Sequence, residues 1–243
     1  MNKPNSPKIE NNLKGAYEFN IQSVLKQGWK NTLGSLNTFV PMLFVLLGIL
    51  LGLALVYVKT QGMESAEQIN YESINMFDLV VRVLLAPLFA ALMMHGVKVQ
   101  LNQTRRVSDL FEYFPQMLAL CLSSIIISLL TLVGMALFLI PGMYVVMSTG
   151  FAMMLVADKK LTPFKAIALS MTMVNRYLVK FIGLYLLLLI FFIAGLLTYG
   201  IGLILFLPFY YNVKGILYVE LFADAKDKVN NVTEIQSEGS FEA

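Results

Sequence analysis

Lys214 sits inside residues 203–222, a run whose only other charged residue is Glu220 near its end. A lysine at that depth in a bilayer costs about 2.5–3.5 kcal/mol on insertion scales, so it needs protein, water or an anion as a neighbour. Helical side chains tilt toward their own N-terminus, which makes escape to the far end of the helix awkward. At about 100° per residue, Tyr211, Lys214 and Tyr218 share one face, and Tyr210 and Asn212 add polar groups nearby. Two kinds of chemistry fit this constellation. In one, Tyr211, Asn212, Lys214 and Tyr218 form a polar patch that binds an anionic group such as a lipid phosphate. In the other, Lys214 is structural and caps backbone carbonyls or pairs with a neighbouring span.

The other ionisable residues in apolar surroundings have plainer explanations. Asp78 and Arg82 lie one helical turn apart, which predicts an i,i+4 pair at the interface. His95 and Lys98 read as an interfacial imidazole and a lysine whose stem runs along apolar surface to water. Glu220 is expected to be solvated or paired with a basic loop residue. Lys26, Trp29 and Lys30 combine an amphipathic ring with two ammonium groups and are expected to anchor the chain at the membrane surface. The one cysteine, Cys121, and the one histidine cannot build a tetrahedral metal site, and no cofactor is expected.

Catalysis is not expected. The carboxylates inside the predicted spans, Asp78 and Glu220, lie near span ends. Gly34-Ser35 and Ser123-Ser124 have no base within reach in sequence, and no phosphate-cradling glycine loop with a lysine appears. Asn231-Val232-Thr233 spells a glycosylation acceptor, but it falls on a tail predicted to be cytoplasmic. The lysines fit topology and anionic headgroups better than nucleic acid, which is not expected as a partner.

The elements that must position these residues follow from the charge-free stretches. Residues 113–157 contain 45 residues without a charge. As one helix, rising about 1.5 Å per residue, they would be roughly twice as long as a bilayer core is thick. They must fold back, with Leu139-Ile140-Pro141-Gly142 as the turn. Residues 31–58 and 181–213 are also free of charge. The expected fold is an all-α integral membrane helical bundle: six transmembrane helices arranged as three hairpins, with interfacial amphipathic helices. The spans are placed at residues 39–58, 77–100, 117–138, 143–157, 181–199 and 203–222, with Gly200-Ile201-Gly202 joining the last two. Residues 1–16 read as a flexible polar arm, 17–226 as the membrane domain, and 227–243 as a disordered tail. No cleaved signal peptide is expected. Within 17–36, Ile21, Val24, Leu25, Gly28, Trp29, Leu33 and Leu36 recur at helical spacing, as in an amphipathic lead-in helix.

Orientation follows from lysine and arginine placement. Of 18 basic residues, 15 fall in the N-terminal segment, the connections after spans two and four, and the tail. The opposite side has Lys59 and Arg82. Both termini are therefore expected in the cytoplasm.

Three times the chain runs from an amphipathic segment (residues 17–36, 107–116 and 162–179) into two spans. In the third, Thr162 is placed as a helix cap before Pro163. Two hairpins exit in similar words, Leu155-Val156-Ala157-Asp158-Lys159-Lys160 and Leu221-Phe222-Ala223-Asp224-Ala225-Lys226. A parallel repeat is one reading; the shared demands of cytosolic span ends is the other. Several words also fit a family: Trp29 in the lead-in, Ile140-Pro141-Gly142, Ala157-Asp158, Pro163 with Ala166 and Ser170, Gly200-Ile201-Gly202 with Pro208, and Tyr218. Over residues 17–226 the chain resembles six-span bacterial inner-membrane proteins related to the glycerophosphodiester phosphodiesterase membrane domain. The resemblance implies a bacterial inner-membrane location and a fold. It implies no activity, since only 21 residues follow Phe222 where some members carry a catalytic domain.

The expected function is a non-catalytic inner-membrane protein that binds lipid, another membrane protein or a second copy of itself. The alternative is a transporter or lipid-handling component of the envelope. Transporters use discontinuous spans. Pro208, Asn212 and Lys214 offer one break, while the corresponding Ser148-Thr149-Gly150 carries no charge.

Overall fold

A computed structural model describes residues 7–60, 80–81 and 83–223. Every regular element among them is helical. In chain order these are α1 (Pro7–Leu13), α2 (Ile21–Thr60), α3 (Ala86–Gln100), two 3-10 turns (Val107–Phe111 and Phe114–Gln116), α4 (Met117–Leu137), α5 (Leu139–Ser148), α6 (Ala152–Lys159), α7 (Pro163–Arg176), α8 (Leu178–Leu197) and α9 (Leu203–Leu221). Four helical stretches are long and apolar enough to cross a membrane: Ile21–Lys59, Val107–Leu137, Leu139–Lys159 and Leu178–Leu197.

Burial runs opposite to hydropathy. The most apolar helices carry exposed faces, with Phe44, Leu47, Leu51 and Leu55 on α2, Leu129, Leu132 and Val133 on α4, and Leu186, Ile190 and Ile193 on α8. Soluble proteins do not expose apolar surface on that scale. The helices that carry polar groups, α3 and α9, are packed inside. Their crossing is backbone on backbone. A Cβ on Gly96 would stand 2.2 Å from the Tyr211 carbonyl oxygen, and one on Gly215 would stand 2.2 Å from the Gly96 carbonyl carbon. Small residues at a crossing let membrane helices approach and gain dispersion contacts.

Several expectations are corrected. Residues 7–13 of the expected flexible arm form a helix. Ile9 is fully buried, Lys8 Nζ donates to Val219 O at 2.8 Å, and Asn12 Nδ2 donates to Glu220 O and Leu221 O at 3.1 and 3.0 Å. These donors meet carbonyls that the end of α9 leaves open. The lead-in at 17–36 is not a separate interfacial helix. Asn20 caps it by accepting from Ser23 N through Oδ1 at 3.1 Å, and α2 continues through Pro41 to a total of 40 residues, about 60 Å at 1.5 Å per residue. Nothing in residues 36–39 breaks a helix. Residues 107–116 form 3-10 turns rather than an amphipathic helix. The 138–142 hairpin turns on Phe138 alone, in extended conformation; Leu139, Ile140, Pro141 and Gly142 already belong to α5. Thr162 precedes α7 in extended conformation, but its side chain makes no capping hydrogen bond.

The fourth span is not continuous. It stops after Ser148 and resumes at Ala152. By contrast, the turn 200–202 is where it was expected, with Gly200 at φ +82° between α8 and α9. Residues 61–76, Asp78, Arg82 and the tail 227–243 lie outside the described residues.

Candidate functional site

The break between α5 and α6 is where the interior becomes polar. Ser148, Thr149 and Gly150 are consecutive poor helix formers. Breaking a buried helix frees backbone groups that must find partners elsewhere. Three are met by two side chains from other helices. Ser170 of α7 donates through Oγ to Ser148 O at 2.6 Å and accepts from Phe151 N at 3.2 Å. Lys214 of α9 donates through Nζ to Gly150 O at 2.7 Å. The ammonium also sits 5.2 Å from the Tyr210 ring and 5.8 Å from the Phe151 ring, within reach of a cation–π contact. Lys214 is 4% exposed, so its charge is held by a carbonyl dipole and two ring faces.

The four residues expected to form one patch point to four places. Lys214 reaches the break. Tyr218 donates its hydroxyl to Asp158 Oδ2 of α6 at 2.6 Å. Tyr211 packs its ring on Phe39 of α2, 5.6 Å between centroids. Asn212, fully buried, donates Nδ2 to Ser35 Oγ at 3.1 Å and to Thr32 Oγ1 at 3.4 Å. One helical face covers three of these residues, but residues 211–219 of α9 are buried all round, so neighbours on that face meet different partners. The four side chains thus meet separate partners, and Lys214 makes a carbonyl contact.

His95 is corrected in the same way. It is not interfacial but buried, with Nε2 3.3 Å from Thr38 Oγ1 and its ring edge-on to Phe39. Thr32, Ser35 and Thr38 of α2 thus face Asn212 and His95 as a small buried polar cluster. Asn212 Oδ1 and His95 Nδ1 lack a hydrogen-bond partner among the described residues. Lys98, expected to run out to water, bridges to Asp109 Oδ2 at 2.9 Å and Glu112 Oε2 at 2.5 Å, tying the first 3-10 turn to α3. Cys121 Sγ contacts Val83 O at 3.0 Å. At the other end of α9, burial and then the Glu220 carboxylate push the Tyr17 hydroxyl up to about 12, so that phenol stays protonated.

A groove of about 1100 Å³ runs beside the break. Its walls are α5 (Ile140, Met143, Val146, Met147), α8 (Ile182, Leu186, Leu189, Phe192) and the α9 residues Phe206 and Tyr210. The walls are apolar except for tyrosine hydroxyls. Tyr144 donates to Asn175 Oδ1 at 2.7 Å. The Tyr185 hydroxyl is buried near Tyr210 without a well-formed hydrogen bond. A Cβ on Gly150 would lie 3.1 Å from that hydroxyl and 3.0 Å from Lys214 Nζ, so the break and the lysine lie beside Tyr185, which lines the groove.

A second depression, about 470 Å³, lies between the start of α2 and the end of α3 and contains Lys26 and Lys30. Trp29, between them in sequence, packs its ring 6.0 Å from Phe209 and is 49% exposed.

Tyr185 and the structural role of Ser170 were missed in the sequence reading. Tyr185 is one tyrosine in an apolar helix, with no spacing to mark it. The triplet at 148–150 was a usable signal for the break, since three weak helix formers interrupt a span already too short. No known family, curated protein or solved structure matches the chain.

Proposed function

We propose that this chain is an integral membrane protein that holds an amphiphilic lipid in the groove between α5 and α8 and performs no reaction on it. The observation that carries this reading is the groove itself. Its volume, about 1100 Å³, exceeds the roughly 300–1,000 Å³ of ordinary small-molecule pockets. An acyl chain matches the apolar walls. A polar or anionic group matches the Tyr185 hydroxyl and the buried ammonium behind it.

The wider setting belongs to the same proposal. Four stretches have span length and composition, and we read the interior helices α3 and α9 as two further crossings, six in all. The 15 basic residues expected on one side support a topology with both termini in the cytoplasm. A bacterial inner-membrane location rests on the resemblance to the glycerophosphodiester phosphodiesterase membrane domain.

The test is native mass spectrometry of purified protein, reading retained lipid. Wild type is expected to keep an amphiphile. Ile182→Phe, which adds volume to the groove wall, is expected to lose most of it, about tenfold. Equal retention in both proteins overturns the groove as the site.

A second reading, transport or lipid handling, gains from the break at residues 149–151. Transporters build their substrate sites around discontinuous helices. Movement of a lipid or solute across liposomes by wild type, lost in Lys214→Leu, would favour it over static binding.

A further inference from the structure

We propose that the depression between α2 and α3 is a separate binding site for the phosphate group of an anionic phospholipid. Ser23, Lys26, Gln27, Lys30, Asn31 and Gln100 surround it, and no carboxylate among the described residues lines it. Lys26 and Lys30 are one turn apart on the same side of α2, and like charges at that spacing repel. Neither has a salt bridge among the described residues. An anion between them removes the repulsion and gains from both.

The amide wall is fixed before any ligand arrives. Gln27 Nε2 and Asn31 Nδ2 both donate to Gln100 Oε1, at 3.0 and 2.9 Å. That leaves the Gln100 amide nitrogen as a donor in the wall. A fixed donor set loses little freedom on binding.

The chemistry around the depression distinguishes a lipid from a free anion. Trp29 lies between the two lysines in sequence and is half exposed, and Leu33, one turn on, is 56% exposed. Within that turn α2 passes from ammonium groups to bare apolar surface. A phosphodiester that carries acyl chains uses both halves: the phosphate in the depression and the chains along Trp29 and Leu33. Inorganic phosphate uses only the first. Basic pockets between membrane helices are suited to such headgroups. The inference rests on the membrane reading above but not on the groove, which is built from different helices.

Trp29 is the one tryptophan of the chain, so its emission reports this place alone. Delipidated protein in an uncharged detergent is titrated with short-chain phosphatidylglycerol, short-chain phosphatidylcholine and inorganic phosphate. Phosphatidylglycerol is expected to give a saturating change in Trp29 emission, with half-saturation about tenfold below the other two. Lys26→Gln with Lys30→Gln is expected to weaken it by about tenfold or more, at roughly half that effect in free energy for each lysine. Lys26→Arg with Lys30→Arg is expected to restore most of the response. Ile182→Phe leaves it unchanged, while the glutamine pair leaves lipid retention in the groove unchanged, which separates failure here from failure of the groove. Equal responses to both lipids, an unchanged glutamine pair or no emission change overturn the headgroup site. Inorganic phosphate that binds as tightly as phosphatidylglycerol overturns the lipid as its source.

Discussion

Replacing Lys214 by methionine tests the account of the broken helix most directly. Methionine keeps most of the volume and flexibility but has no donor. The Gly150 carbonyl then loses its 2.7 Å partner inside the bundle. Interhelical hydrogen bonds in a membrane protein average about 0.6 kcal/mol and reach about 1.7. A short contact to a charged donor belongs at the upper end. The ring contacts at 5.2 and 5.8 Å add about 0.5–1 kcal/mol between them. Relief of burying a charge, about 2.5–3.5 kcal/mol on insertion scales, applies almost equally to the inserted but unpacked helix, so most of it cancels. The net loss is then about 2–3 kcal/mol, a factor of roughly 30–150 in the folding equilibrium.

The assay is reversible unfolding in mixed micelles with rising ionic detergent, followed by Trp29 emission. Trp29 rests on Phe209, so its signal reports separation of α2 from α9. Lys214→Arg is expected to fall between wild type and Lys214→Met, since charge survives while length and geometry change. Ser170→Ala removes two contacts to the same break, at 2.6 and 3.2 Å, and is expected to cost about 1.5–3 kcal/mol. Because both side chains hold one break, the double variant is expected to lose less than the sum of the single losses. A Lys214→Met protein as stable as wild type would refute the capping role, and strictly additive losses would refute the shared break.

Other expectations follow from the packing. Gly215→Ala puts a methyl 2.2 Å from the Gly96 carbonyl carbon, so α3 and α9 must separate; a loss of about 3 kcal/mol or failure to purify as a monodisperse species is expected by size exclusion. Gly34→Ala meets nothing within 4 Å and is expected to be neutral or to gain about 0.5–1 kcal/mol in the same detergent unfolding. Lys98→Met removes bridges to Asp109 and Glu112 and is expected to cost about 1 kcal/mol, with the difference shrinking at high salt. A reporter fused after Phe222 is expected to be active only in the cytosol and one placed within residues 61–76 only outside; the opposite pattern at the loop would reverse the orientation.

Hydropathy made the all-helical character and the α8–α9 hairpin legible, because Gly200 must adopt positive φ wherever that turn forms. It misjudged places where tertiary contact overrides local pattern. The arm at 1–16 looked flexible because its composition is polar, yet it contains Lys8 and Asn12. Their partners are the open carbonyls at the end of α9, more than 200 residues away. Residues 17–36 looked interfacial because Lys26, Lys30 and Trp29 lie on them. Yet Gly28, Thr32, Ser35 and Phe39 form a second, buried seam on the same helix. His95 looked interfacial for the same reason: its buried partner, Thr38, is on another helix. A single-helix projection of α9 put Tyr211, Lys214 and Tyr218 together, but it could not show that α2, the break at 149–151 and α6 divide that face.

The lysine and the break explain one another. A charged donor at 4% exposure is unfavourable unless a strong acceptor is fixed beside it. A helix interrupted inside a bundle is unfavourable unless donors arrive from elsewhere. Gly150 O supplies the acceptor and Lys214 Nζ the donor, so each offsets the penalty of the other. Glycine at 150 matters for the same contact, since a Cβ there would stand 3.0 Å from the ammonium. Residues 148–150 carry no charge to betray a polar site, and Lys214 has no carboxylate at helical spacing to betray a partner. Their pairing across 64 residues makes a backbone carbonyl, rather than any side chain, the counterpart of the buried charge.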